Sequence, residues 1–360
     1  MKAFGKAASA KASLAIVTAG LLSISALAAG NAPELRFSKD GKFKIVQFTD
    51  THLTELESKG KDEPKEVMAE RAAKLEKELF AAINKVLDEE KPDLVVFTGD
   101  NVLTKNQPFE QWRKLVAPAV SRGIPWAAVM GNHDFECTGK PQKEIMGFLE
   151  TLPLSLCKRG PEELGGGGNY IALIKDANSN QPRAALYFMD SGTYADKKLA
   201  EGYAWFSFDK IQWFRKQSEA MDKANGGAPL PSLAFFHIPF PEFDKAFATC
   251  KTVGTKKENV CSPQVSSGMF VAMLESKSIL GCFVGHDHDN DCMSSLNGIG
   301  LAYGRKTGAF CYFNLPVSGG RAIELSEGSR SFSTWIRLGN GEIESKATHP
   351  EDFPPPPKKK

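Results

Sequence analysis

Five of the six histidines in this 360-residue chain sit directly after short apolar runs, and aspartates and asparagines cluster with them. In "IVQFTDTHL" the run ends in Asp50 and His52, two positions apart. Residues so spaced in an extended segment point to the same side, so a carboxylate and an imidazole can converge on one ion. Alone, such a pair is equally a turn with a capping aspartate and a chance histidine. The remaining runs change that balance. "LVVFT" leads into Gly99-Asp100-Asn101, "WAAVM" into Gly131-Asn132-His133-Asp134, "LAFF" into His237, and "GCFV" into Gly285-His286-Asp287-His288. Only His349, near the end of the chain, stands apart. Five unrelated core or surface histidines would not share this placement.

The elements that must position these residues follow from periodicity. Strands are expected at "FKIVQF", "DLVVFT" and "WAAV", and again at 169–174, 184–190, 232–237 and 279–284. Helical periodicity occupies 64–90, 108–121, 141–150 and 208–222. Strands alternating with helices imply βαβ units and sheets buried on both faces. Ligands of such open sheets bind at the carboxyl ends of the strands. Beyond residue 298 the style changes, and "RAIELSEG" and "FSTWIRL" read as antiparallel partners. Trp205, Phe206, Trp213 and Phe214 form either an aromatic wall or, at their helical spacing, part of the core.

The blocks D-x-H, G-D, G-N-H-D, a lone H and G-H-x-H, in this order, resemble those of the calcineurin-like metallophosphoesterase superfamily. The resemblance spans about residues 43–338. Within the superfamily the chain is most similar to the phosphatase-like branch of bacteria, fungi and plants, whose members include purple acid phosphatase 29-like and DCR2-like sequences. "ALYFMDSG", "AWFSFDKIQWF", "YGRKTG" and "GGRAIELSEGSRSFSTWIRL" support that placement. The resemblance implies an α/β fold, a four-layer αββα sandwich with its metal site at the carboxyl ends of the central strands. It further implies two metal ions, one held by Asp50, His52 and His288 and one by Asn132, His237 and His286, with Asp100 between them.

Carboxylate, imidazole and amide oxygen suit borderline divalent ions such as Zn, Mn or Fe, and no thiolate is expected among the ligands. Two ions about 3.5–4 Å apart can clamp a phosphate and activate a bridging water for in-line attack. The glycines before Asp100, Asn132 and His286 are expected to permit tight turns. His133 corresponds to a histidine near the leaving-group oxygen, as a proton donor or charge stabiliser, or else as a structural neighbour. Asp134 is expected to orient a neighbour through hydrogen bonds. Arg305, in "YGRKTG", either reaches a phosphate oxygen or is an ordinary surface arginine. One departure stands out. Leu103 and His52 occupy positions where true purple acid phosphatases carry Tyr and Gly, so an all-divalent site is expected.

The implied activity is hydrolysis of small phosphate esters, foremost phosphomonoesters. The alternatives are phosphodiester or nucleotide hydrolysis on the same site, and a non-catalytic phosphate or metal binder. A zinc protease is disfavoured, since the chain has no H-E-x-x-H. Lys2, Lys6 and Lys11 precede the apolar run "LAIVTAGLLSISALAAG", with Ala26-Leu27-Ala28 after it. Residues 1–28 therefore read as a cleaved export leader, with a single membrane anchor as the other reading, and the protein as periplasmic or secreted without further membrane contact. Removing them takes the formal charge from +2 to −1, which offers no basic field for nucleic acid. The expected domain is 33–345, followed by a disordered Pro/Lys tail at 346–360. The sequence sets no oligomeric state. Seven cysteines leave at least one thiol unpaired; Cys250 and Cys261 are the first expected disulfide and Cys282 a buried thiol.

Overall fold

The computed structural model describes residues 33–54 and 64–355, so the leader reading at 1–28 lies outside the described residues. The strands are β1 (Leu35–Arg36), β2 (Lys42–Phe48), β3 (Leu94–Thr98), β4 (Trp126–Val129), β5 (Tyr170–Lys175), β6 (Pro182–Phe188) and β7 (Ser232–Phe235). They continue as β8 (Thr252–Val253), β9 (Ile279–Val284), β10 (Met293–Leu296), β11 (Ile299–Tyr303), β12 (Gly319–Ser326), β13 (Phe332–Leu338) and β14 (Ile343–His349). The helices are α1 (Lys65–Glu90), α2 (Pro108–Ser121), α3 (His133–Glu136), α4 (Gln142–Leu149), α5 (Phe208–Ala224), α6 (Glu242–Thr249) and α7 (Met269–Ser276).

All five residues of β3 are buried, as expected of a parallel strand covered on both faces. It pairs in parallel with β2 and β4, and these three join β12, β13 and β14 in a six-stranded sheet ordered β14-β13-β12-β2-β3-β4. The second sheet has eight strands in the order β1-β5-β6-β7-β9-β11-β10-β8, with β6, β7, β9 and β11 parallel. The sheets face one another: Phe283 of β9 meets Phe332 of β13 edge-on, with ring centroids 5.5 Å apart. Helices α1 and α2 pack on the six-stranded sheet, and α6 and α7 on the eight-stranded one, with α5 against α7. The result is the four-layer αββα sandwich. Phe206 and Phe214 are buried under the eight-stranded sheet with Trp213 beside them, so these aromatics belong to the core.

Register brings the site together. Phe48 pairs with Phe97 and Phe97 with Ala128, while Phe235 pairs with Phe283 in the other sheet. The parallel strands therefore end at matching levels, and their following turns converge. The Gln47 side-chain amide donates to the Val284 carbonyl at 3.0 Å and so ties the sheets just below those turns.

Two expectations are corrected. Residues 346–355 are ordered: β14 runs to His349 and pairs with β13 as Phe332↔His349 and Thr334↔Ala347. Ala347, His349 and Phe353 are buried, and the His349 ring lies 5.2 Å from that of Phe332. The polar residues between them are the solvent face of an edge strand, which disguises its inward face. The Cys250–Cys261 bridge is also absent, since neither sulfur is in a disulfide. The Cys261 backbone N–H is held by the Asp287 carboxylate at 3.1 Å. Cys282 is fully buried, as expected.

Candidate metal centre

Asp50 and His52 do not converge through the pleat of a strand. β2 ends at Phe48, and both residues then take left-handed backbone angles, with φ of 51° and 48°. Asp100 and His286 do the same, at 51° and 79°. Non-glycine residues in this region are uncommon, although Asp and His enter it more readily than most. Of the three preceding glycines, only Gly99 has positive φ, at 95°. Gly131 and Gly285 serve by lacking a side chain. A Cβ at Gly131 would fall on the Asp100 carboxylate, and one at Gly285 on Thr49 and Asp50.

Four of the donors, Asp50, Asp100, His237 and His288, are gripped on the side away from the centre. Asp50 Oδ2 accepts from the Thr49 hydroxyl at 2.6 Å and the His286 N–H at 3.1 Å. Asp100 Oδ1 accepts from the His133 N–H at 2.9 Å. His237 Nδ1 lies 2.8 Å from the Thr98 carbonyl of the opposite sheet, and His288 Nδ1 lies 3.1 Å from the Tyr312 carbonyl. A carbonyl only accepts, so each Nδ1 carries a proton and Nε2 is the nitrogen that faces inward. The inward atoms form two groups, Asp50–His52–His288 and Asp100–His237–His286, with the ligand atoms of each within 4.8 Å of one another. Asp100 Oδ2 stands between them, 3.7 Å from His52 Nε2 and 3.3 Å from His237 Nε2.

Whether cations fit is answered by the partners these atoms lack. Asp50 Oδ1, His52 Nε2, Asn132 Oδ1, His237 Nε2 and His286 Nε2 are buried without a hydrogen-bond partner. Leaving one such atom bare costs about 1–3 kcal/mol, so five in one place mark a site built for something else to satisfy them. The protonation pattern agrees. Burial disfavours charge on His237, yet facing Asp100 raises its pKa to about 10. Burial likewise opposes charge on His288, but the Asp50 carboxylate, 3.4 Å from its Nε2, raises its pKa to about 9. Burial, and then the charge of His237, holds His286 down at about 3. Asp50, despite its burial, is kept well below the usual carboxylate range by His288 and His52. The carboxylates draw positive charge inward, and divalent cations supply it. Oxygen and imidazole donors of this kind fit borderline divalent ions.

The remaining sequence candidates divide. Asn132 lies at the centre, and its Nδ2 donates to the Tyr194 hydroxyl at 3.4 Å. Asp134 is fully buried and accepts from the backbone N–H groups of Gly131, Val102 and Asn101 at 2.7, 3.0 and 2.8 Å. It thus fixes the two turns that carry Asp100 and Asn132. Burial, with the nearby charge of Asp100, pushes its pKa up to about 7 against those donors. His133 is at the mouth, its Nδ1 against Glu136 and its ring centroid 6.2 Å from that of His52. Nε2 is the nitrogen left for a substrate.

Arg305 is not a substrate contact. Its side chain is 1% exposed, paired with Asp291, and its Nε donates to the Val317 carbonyl at 2.8 Å. The guanidinium points away from the centre because a buried carboxylate and a carbonyl hold its whole fork. Leu103 offers no side-chain donor; its N–H donates to the Leu53 carbonyl at 3.0 Å and its carbonyl accepts from the Thr54 hydroxyl at 2.7 Å.

Several residues at the site escaped the sequence reading. Lys306 is buried and donates to the Asp50 carbonyl at 2.9 Å; burial lowers its pKa to about 8. Tyr203 stands edge-on to His286, and Tyr312 lies over His288, at centroid distances of 4.5 and 4.3 Å. The ligand groups themselves contain no cysteine, as expected; the exposed Cys311 thiol is acted on by His288 and His52, which lower its pKa to about 5. The adjoining "GRKT" motif was the signal available for Lys306. Nothing local marked Cys311.

Residues 43–290 match the profile of the calcineurin-like phosphoesterases. Over 296 residues the chain is 34% identical to "Probable inactive purple acid phosphatase 29" of Arabidopsis thaliana, covering 78% of this chain and 75% of that protein. It is 35% identical over 333 residues to "Phosphatase DCR2" of Saccharomyces cerevisiae, covering 85% of this chain and 55% of that one. Among solved structures, a dimetal phosphatase from Danio rerio has a TM-score of 0.54 at 12% identity, covering 85% of this chain and 98% of its own. A purple acid phosphatase from yellow lupin seeds has a TM-score of 0.50 at 13% identity, covering 88% and 55%. At such identities the structural likeness speaks for the fold, while the sequence matches speak for descent. The chain belongs to the calcineurin-like phosphoesterase family.

Proposed function

We propose that the protein hydrolyses phosphate esters at a dinuclear centre, with phosphomonoesters as the foremost substrates. The observation that carries this is the set of five buried, partnerless donor atoms converging from four turns. Asp50, His52 and His288 would hold one divalent ion, Asn132, His237 and His286 the other, and Asp100 lies between the two groups. Bound there, two cations supply the positive charge that phosphoryl oxygens need during in-line displacement. The chain's own groups do the rest. His133 is placed at the mouth to give a proton to the departing alkoxide, and Glu136 at its Nδ1 supports the charged ring. Asp134 keeps the ligand turns in place.

Some relatives carry "probable inactive" in their names; this chain retains all seven ligand positions of its motif set. A second reading, phosphodiester hydrolysis, is favoured by the burial of Arg305. Without that guanidinium at the phosphate, the dianion of a monoester loses the side chain assigned to it, and a diester asks for less charge. We also propose export, through the leader at residues 1–28.

Metal analysis with paired assays on nitrophenyl phosphate and bis-nitrophenyl phosphate tests the central reading. The wild type is expected to bind two divalent ions per chain and turn over at least one substrate. Asp100→Asn should bind fewer than two and lose most activity. A variant that keeps both ions and near-wild-type turnover would sink the assignment.

A further inference from the structure

We propose that Tyr194 is a stacking platform for the departing alcohol, and that the preferred substrates are phosphate esters whose alcohol carries a planar aromatic ring, as nucleoside monophosphates do. The inference rests on the dinuclear hydrolase reading above and names the substrate class for that site.

The platform is built by a two-stranded ribbon that follows β6. Its root is fixed at two points. Gly192, at φ of 82°, donates its N–H to the Asp190 carboxylate at 2.9 Å. The Ser191 hydroxyl accepts from the Ile238 N–H at 3.0 Å, next to the ligand His237. The Ala204 N–H then donates to the Thr193 carbonyl at 3.0 Å and the Ala195 N–H to the Gly202 carbonyl at 2.9 Å, which sets Tyr194 opposite Tyr203. Directly opposed residues place their side chains on one face of such a ribbon. Here the two rings stack, with centroids 5.7 Å apart and planes inclined by 22°. Tyr203 in turn meets His286 edge-on at 4.5 Å. The ribbon thus sets its aromatic face against the half of the centre that contains His286.

Tyr194 is 49% exposed, although Tyr203 backs one face of its ring. Its hydroxyl end is placed by Asn132 Nδ2 at 3.4 Å and Glu136 Oε1 at 3.5 Å. The ring is therefore held still by its neighbours and open on its other face. Glu136 Oε1 is also the partner of His133 Nδ1, so the open ring stands beside the group assigned to protonate the departing alkoxide. An alcohol leaving past His133 passes along that ring. Elsewhere at the mouth, Tyr312 lies over His288, exposed and donating its hydroxyl to Glu258 at 2.5 Å. Such a mouth suits a flat group. Stacking asks for a π-face and no charge, and a ring already immobilised loses little rotamer freedom when it binds.

Adenosine monophosphate and ribose phosphate, both esterified on the primary hydroxyl, release similar alkoxides and differ in the base. The ratio of their kcat/KM values therefore reads recognition of the ring rather than ease of departure. The zinc-loaded wild type should favour the adenosine ester roughly 5- to 150-fold. Tyr194→Leu should bring the ratio toward one, whereas Tyr194→Phe, which keeps the π-face, should preserve it. The ratio cancels the active fraction, so a variant that loads metal less well remains informative. A wild-type ratio near one, or a preference that survives Tyr194→Leu, overturns the proposal and leaves the hydrolase reading standing. If neither ester is turned over, that reading fails for monoesters, and adenosine binding by equilibrium dialysis decides the platform by itself. The wild type should then bind adenosine more tightly than Tyr194→Leu; equal or undetectable binding overturns the proposal.

Discussion

The floor and the mouth of the centre are built differently. On the floor, Asp50, Asp100, His237 and His286 are buried, and backbone or neighbouring groups hold the far sides of Asp50, Asp100 and His237. At the mouth, His133, Tyr194 and Tyr312 are half-exposed or exposed and lean on the carboxylates of Glu136 and Glu258. The floor has no slack, because donors and backbone share one close-packed volume. The mouth can change its side chains without disturbing the strands below. Binding of ions should therefore depend on the floor, and choice of substrate on the mouth.

The sharpest way to break this contrast is a single methyl group on the floor. Gly131→Ala places a Cβ on the Asp100 carboxylate, so metal content should fall below two per chain and activity should fall toward background. If metal analysis finds both ions retained with ordinary turnover, the floor is more compliant than its packing indicates. At the mouth, His133→Ala should leave both ions bound and lower kcat by ~10²–10⁴-fold. The loss should be greater for alkyl than for nitrophenyl phosphates, because nitrophenolate leaves without a proton. Identical losses on the two would remove the proton-donor role. The smallest effect on turnover is expected away from both regions. Arg305→Ala breaks a buried ion pair with Asp291, which costs about 3–5 kcal/mol of stability, read as a lower denaturation midpoint. Its kcat/KM should change less than tenfold, by equal factors for monoesters and diesters. A selective loss on monoesters would return Arg305 to the substrate.

The parts of this design that were legible in the sequence are those in which chemistry dictates residue type. A carboxylate, an amide and imidazoles had to appear as themselves at strand ends, and the apolar runs before them had to be strands. What remained hidden depended on contacts between distant segments. Arg305 follows the ligand block in sequence, but its direction is set by Asp291 and Val317. Tyr312 lies over His288 through a loop that Asp289 holds at Asn314, with the Tyr312 carbonyl accepting from His288 Nδ1. The helices Glu242–Thr249 and Met269–Ser276 span only eight residues each, and the hairpin strands Met293–Leu296 and Ile299–Tyr303 are shorter still. These went unread, although segments as short, Trp126–Val129 and Gln142–Leu149, were legible. Strand Ile343–His349 was lost because most of its residues face solvent at a sheet edge.

The left-handed backbone at Asp50, His52, Asp100 and His286 has a consequence for how this protein could age under mutation. Each such residue costs of order 1–3 kcal/mol, a strain that glycine would not feel. Replacing these ligands with glycine would relieve that strain and thin out a crowd of buried charge. The ion-free fold should then gain stability as it loses its chemistry. Selection for robustness alone would therefore erode the centre from its own turns, and only selection for its reaction would keep aspartate and histidine there.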